Sequence, residues 1–107
     1  METTQGILLN SHFINKMTVG GKTAWFTKEI NESTGHKWRF KPDNSGVYEM
    51  FEEILLHPSV TGATGVPGMI LWKFKGINKG KGSLMFELLP PGQSQVIETV
   101  IVNVEVA

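Results

Sequence analysis

The last third of the chain alternates apolar and polar side chains in a way that leaves little freedom of fold. Ile70, Trp72 and Phe74 alternate with Leu71, Lys73 and Lys75, and Leu84, Phe86 and Leu88 alternate with Met85, Glu87 and Leu89. Val100, Val102, Val104 and Val106 then share one side, with Thr99, Ile101, Asn103 and Glu105 on the other. Successive side chains of a strand point to opposite faces, so a period of two means strands with one face on a core. The turn formers of Asn78-Lys79-Gly80-Lys81-Gly82 and Pro90-Pro91-Gly92-Gln93-Ser94 separate these strands. Short strands divided by turns predict an all-β antiparallel sandwich or barrel.

The earlier chain continues the pattern less regularly. Trp38 and Phe40 face one way and Lys37, Arg39 and Lys41 the other, which makes a strand closed by Pro42-Asp43-Asn44-Ser45-Gly46. Thr23 to Lys28 is rich in aromatic and β-branched residues and reads as a strand, with Ala24/Phe26 and Trp25 on opposite sides. His12 to Met17 is a further candidate, and Gly20-Gly21 after it suits a tight hairpin connection. Val47 to Leu56 has two readings. Tyr48, Phe51 and Leu55 share helical spacing, whereas the context favours a strand. His57-Pro58 ends it, and Ser59 to Gly68 is a long Gly/Thr/Pro connection of the kind that is usually functional or mobile.

Several function classes fall away on composition. At 107 residues the chain is expected to be one domain over 1–107. Ten basic residues against ten acidic ones provide no electrostatic footprint for nucleic acid. The absence of cysteine removes disulfides, thiol nucleophiles and thiolate metal sites. His12, His36 and His57 lack metal-ligand spacing, Glu52-Glu53 is a poor acid/base pair because neighbours on a strand diverge, and no cofactor motif is present. Nothing approaches transmembrane length, and Ile7-Leu8-Leu9 is too short for the hydrophobic region of a signal peptide. The expectation is a soluble non-enzyme, either cytoplasmic or a mature lysosomal or secreted form, that needs no cofactor or membrane.

Strand parity says where recognition would occur. In an up-and-down succession every second connection lies at the same end, provided that Val47–Leu56 contributes a strand. This gathers the Asn31–Gly35, Gly65–Gly68 and Pro90–Ser94 loops together. It sends Gly20-Gly21, Pro42–Gly46 and Asn78–Gly82 to the other end. An immunoglobulin-like sandwich gathers its recognition loops in the same way.

Asn31-Glu32-Ser33-Thr34-Gly35, followed by Trp38, resembles the first inhibitory loop of chagasin-type inhibitors of papain-like cysteine peptidases. That family reads Asn-Pro-Thr-Thr-Gly there, before a strand with Trp. The order of the later elements is also similar over roughly residues 15–106. Glu32 replaces the proline, and Ser33 replaces a threonine while keeping a hydroxyl. Gly65-Val66-Pro67-Gly68 stands where the family has Gly-x-Gly-Gly. Pro90-Pro91-Gly92 stands where it has Arg-Pro-Trp, so the arginine and the aromatic are missing.

The resemblance implies an immunoglobulin-like antiparallel β-sandwich with three recognition loops at one end, acting as a reversible competitive inhibitor. Ser33, Thr34 and Gly35, flanked by Asn31, Glu32 and His36, would cover the catalytic cysteine and histidine. Gly65, Val66, Pro67, Gly68 and Met69 would run extended along the cleft, pairing their backbone with the enzyme. Pro90, Pro91 and Gly92 would make the third contact. The implied partner is a papain-like cysteine peptidase, and the free chain is expected to be a monomer. The other reading is an immunoglobulin-like adhesion or interaction module, since Asn, Ser, Thr and Gly also make ordinary turns. Asn31-Glu32-Ser33 is also a glycosylation sequon, and a glycan there would obstruct insertion into a cleft. Trp38 and Trp72 are expected in the core.

Overall fold

A computed structural model describes residues 6–30, 35–56, 68–92 and 95–107. The chain forms β1 (Ile7–Leu8), β2 (Asn15–Met17), β3 (Ala24–Ile30), β4 (Lys37–Pro42), β5 (Tyr48–Leu56), β6 (Gly68–Gly76), β7 (Gly80–Leu89) and β8 (Glu98–Val106). They make two four-stranded sheets, β1-β3-β6-β5 and β2-β8-β7-β4. The alternation read from the sequence is what packs the sheets together. Ile70, Trp72 and Phe74 of β6 are buried, as are Leu84 and Phe86 of β7 and Val102, Val104 and Val106 of β8. Trp72 and Phe86 come from opposite sheets and pack with ring centroids 4.5 Å apart, tilted by 44°, while Phe26 stacks on Phe86 at 4.7 Å. Burying each such side chain contributes about 1.5–3 kcal/mol, so this cluster holds the layers together.

Two expectations change. β2 and β3 do not form a hairpin. The segment after Met17 crosses between sheets, with Gly20 at φ 66° donating its N–H to the Gly76 carbonyl at 3.1 Å. Second, the pairing is not wholly antiparallel, because β1 runs parallel to β3 and β2 parallel to β8. The weak His12–Met17 candidate shrinks to Asn15–Met17. Asn15 is buried there, its amide nitrogen 2.9–3.1 Å from the carbonyls of Asn10, Phe13 and Asn103.

Of the two readings of Val47–Leu56, the favoured strand holds, and a bulge explains its helix-like spacing. The register shifts between Met50 and Glu52, so Phe51 is extra. Tyr48 and Met50 face inward opposite Gly76 and Phe74, and beyond the bulge Glu53 and Leu55 take that side opposite Trp72 and Ile70.

The parity expectation holds for the strand ends. Ile30 pairs with Gly68 and Leu56 with Met69 in the first sheet, and Lys37 with Leu89 and Leu88 with Glu98 in the second. Connections 31–36, 57–67 and 90–97 therefore leave one end of the sandwich. Connections 18–23, 43–47 and 77–79 leave the other.

Candidate functional site

Trp38 lies beneath the first and third connections. The alternation of β4 turns it inward, and its indole N–H donates to the Glu29 carbonyl at 3.2 Å, tying the start of β4 to the end of β3 across the sheets. Lys28 Nζ sits 5.3 Å from the ring centroid and 4.0 Å from a Glu98 carboxylate oxygen. The hydrogen bond and the cation–π contact are each worth about 1 kcal/mol or less, and the half-exposed ion pair less still. Together they fix both ends of connection 31–36 against the start of β8.

Two clefts flank this tryptophan. One, of about 670 Å³, lies among Thr27, Lys28, Ile30, His36, Trp38 and Glu98. The other, of about 370 Å³, opens between the edge strands β4 and β5 among Gly35, His36, Lys37, Glu53, Leu55 and Ile70. His36 is half-buried and borders both.

The structure brings the first and third connections into contact. Gly35 has φ 77°, and a Cβ built on it would lie 2.9 Å from the Pro91 Cβ. Glycine is required there twice, by backbone conformation and by the close approach. Pro91 and Gly92 are exposed, and Pro90 is half-buried. Gly92 has φ 69° with open space around it, so a side chain there would meet no neighbour but would strain the backbone.

Gly68 and Met69 behave differently from expectation. Gly68 is buried, because β6 begins between β3 and β5, and a Cβ would come within 2.7 Å of the Leu56 carbonyl oxygen. Met69 pairs with Glu29 on one side and Leu56 on the other. The backbone of both residues is therefore engaged in the sheet, and the extended pairing with a partner expected of Gly65–Met69 does not extend to them. The Met69 side chain is exposed on the outer face. Asn31, Glu32, Ser33, Thr34, Gly65, Val66 and Pro67 lie outside the described residues.

Sequence reasoning missed Lys28, Glu29, Glu98 and Leu55. Each is an ordinary strand residue whose place beside Trp38 follows from how the two sheets are superposed. Both tryptophans expected in the core are there, Trp72 wholly enclosed and Trp38 nearly so. Among the described residues no group of three or more His, Asp or Glu side chains could hold a metal ion. Among the described residues this end offers hydrogen-bonding and apolar surface.

This architecture has solved counterparts. The cysteine protease inhibitor EhICP2 from Entamoeba histolytica superposes with a TM-score of 0.74 at 13% identity, over 95% of this chain and 96% of that one. Amebosin superposes with a TM-score of 0.70 at 18% identity, again over 95% and 96%. At these identities the likeness shows the shared fold. No curated protein sequence matches the chain. Residues 17–106, however, match the family described as chagasin family peptidase inhibitor I42. That span runs from the end of β2 to the end of β8 and takes in both sheets and all three connections at the Trp38 end, so this chain belongs to the chagasin family of peptidase inhibitors.

Proposed function

We propose that the chain is a reversible, competitive inhibitor of papain-like cysteine peptidases, which plugs the substrate cleft with the connections at its Trp38 end. The observation that carries this is the contact of Gly35 with Pro91 above the Trp38 clamp, which makes two of the three connections one continuous surface. In this reading Ser33 and Thr34 offer hydroxyl hydrogen bonds at the catalytic cysteine and histidine, and Gly35 lets the backbone approach closely. Residues 65–67 lie along the cleft ahead of β6. Pro90 and Pro91 add a rigid apolar contact that loses little freedom on binding, and Gly92 leaves this loop without an aromatic anchor. The first connection therefore supplies more of the affinity than the third.

Titration of papain and of a cathepsin L-like peptidase with the purified chain tests this. Inhibition is expected, weakened roughly tenfold by Thr34→Ala, the order of one lost interfacial hydrogen bond. It should be unchanged by Thr99→Ala on the exposed outer face of β8. Equal loss from both substitutions would mean that another surface binds. No inhibition at micromolar concentration would favour an interaction module with some other target.

A further inference from the structure

We infer that the outer face of the β1-β3-β6-β5 sheet is a self-association surface, on which a second copy of this chain stacks about a two-fold axis parallel to the strands. The two outer faces of the sandwich differ in kind. That of the second sheet carries Lys37, Arg39, Lys41, Glu87 and Glu105, and among the described residues Ile101 is the one large apolar side chain exposed in its strands, beside the half-buried Met85 and on the same face as the half-buried Leu89. That of the first carries Leu8, Phe51, Leu56 and Met69, all exposed, around the half-buried Trp25 and Leu71. A shallow cleft of about 370 Å³ lies among Trp25, Phe51, Leu71 and Lys73. Exposed apolar side chains set around a Lys73–Glu52 ion pair at 3.1 Å make this face a contact surface.

The cross-strand register identifies the occupant. On this face Glu49 pairs with Lys75, Glu52 with Lys73, Ile54 with Leu71 and Leu56 with Met69. A two-fold axis along the strands, placed between β5 and β6, sets β5 of one copy over β6 of the other at the same level. Each glutamate then lies over a lysine of the second copy, and each apolar residue over an apolar one. A face built of such pairs is complementary to itself under that one operation, which is what an isologous contact requires. Phe51, at the bulge, is carried over β6 of the second copy, beside its cleft. The operation keeps the loop ends of both copies uncovered and pointing the same way.

The expected strength follows from size. β3, β5 and β6, of seven, nine and nine residues, span at most roughly 14 by 30 Å, about 400 Å² per copy, half the ~800 Å² per partner of a standard interface. Association is therefore weak and must be sought at high concentration.

Sedimentation equilibrium of the full chain from micromolar to millimolar concentration tests it. The mass should rise from 11.9 kDa toward twice that value, and stay at 11.9 kDa for Leu71→Lys. Two exposed charge-reversed chains test the axis itself. Lys73→Glu/Lys75→Glu and Glu49→Lys/Glu52→Lys should each remain monomeric alone and pair when mixed at physiological salt. Replacing the first by Lys79→Glu/Lys81→Glu, which moves the same charges off the face, should abolish the pairing. A constant 11.9 kDa in the parent would overturn the inference. So would a dimer that survives Leu71→Lys with the fold intact, or charge-reversed chains that self-associate as the parent does.

Discussion

Connections 31–36 and 43–47 both carry the chain between the same two sheets, at opposite ends of β4, yet they are held in unlike ways. After β4 the chain is fastened by side chains within the turn. Asp43 accepts the Ser45 N–H at 2.9 Å and the Ser83 N–H at 2.7 Å, and the Tyr48 hydroxyl donates to the Ser83 carbonyl at 2.6 Å while accepting the Asp43 N–H at 3.1 Å. Asn78 donates to the Gly46 carbonyl at 2.7 Å. Before β4, the bonds among the described residues lie beneath the connection, at Trp38 and Lys28, and the surface above is shaped by the Gly35–Pro91 approach. One end ties its turn into the body; at the other, the bonds described hold the base of the connection.

The comparison can be broken most severely at Trp38. Trp38→Ala removes a large buried side chain and the Glu29 hydrogen bond together, and should cost about 3–5 kcal/mol of stability. Inhibition should fall even where the variant remains folded, because both ends of connection 31–36 are released. Denaturant unfolding and peptidase titration of the same preparation separate the two effects.

Tyr48→Phe should cost about 1–3 kcal/mol by leaving the Ser83 carbonyl and the Asp43 N–H without their partner. It should leave inhibition unchanged, which is the signature of the structural end. The same end carries a pH dependence. Burial, with the nearby Asp43 charge, pushes the Tyr48 hydroxyl from 10.0 up to about 12. A raised value means that the folded state holds the proton more tightly, so this contribution is complete below pH 10 and is lost between pH 10 and about 12. Tyr48→Phe should remove that alkaline loss when unfolding is followed against pH. Partial burial raises the Asp43 carboxyl, but the hydrogen bonds of Ser45, Ser83 and Tyr48 outweigh it and hold it below 3.8. Its contribution is therefore present above that value and fades as the pH falls through the lowered one.

Gly35→Ala should cost least in stability, about 1–2 kcal/mol, from a side chain at positive φ pressed against Pro91. Its effect on inhibition should be larger than that of Gly46→Ala. Gly46 also has positive φ, at 76°, but open space around it, so the pair isolates the contact from the strain.

How far the sequence could be read depended on which residues carried the signal. β6, β7 and β8 were plain because Trp72, Phe86 and Val104 each repeat at period two over a long strand. β5 was ambiguous because one extra residue, Phe51, converts alternation into a spacing that a helix would share. β1 was hidden by its shortness, and β2 was legible only as the weak His12–Met17 candidate because its partner lies far along the chain, as when Asn15 pairs beside Val104. Asn15 itself reads as a turn former, and only the fold reveals it as a buried amide among three carbonyls. At the site, parity placed the three connections at one end of the sandwich; Gly35 was singled out for close approach to a peptidase, and within the chain its missing side chain answers to Pro91. Gly68 was singled out too, but its lack of a side chain answers to the Leu56 carbonyl inside the sheet.

Amide hydrogen exchange on the chain, free and bound to papain, tests most directly that the Trp38 end is the inhibitory end. Protection should appear across 31–36, 57–67 and 90–97, and exchange in 18–23, 43–47 and 77–79 should stay as in the free chain. Protection of the Asp43–Tyr48 turn, or of the outer face of β6 without the loop ends, would contradict the account.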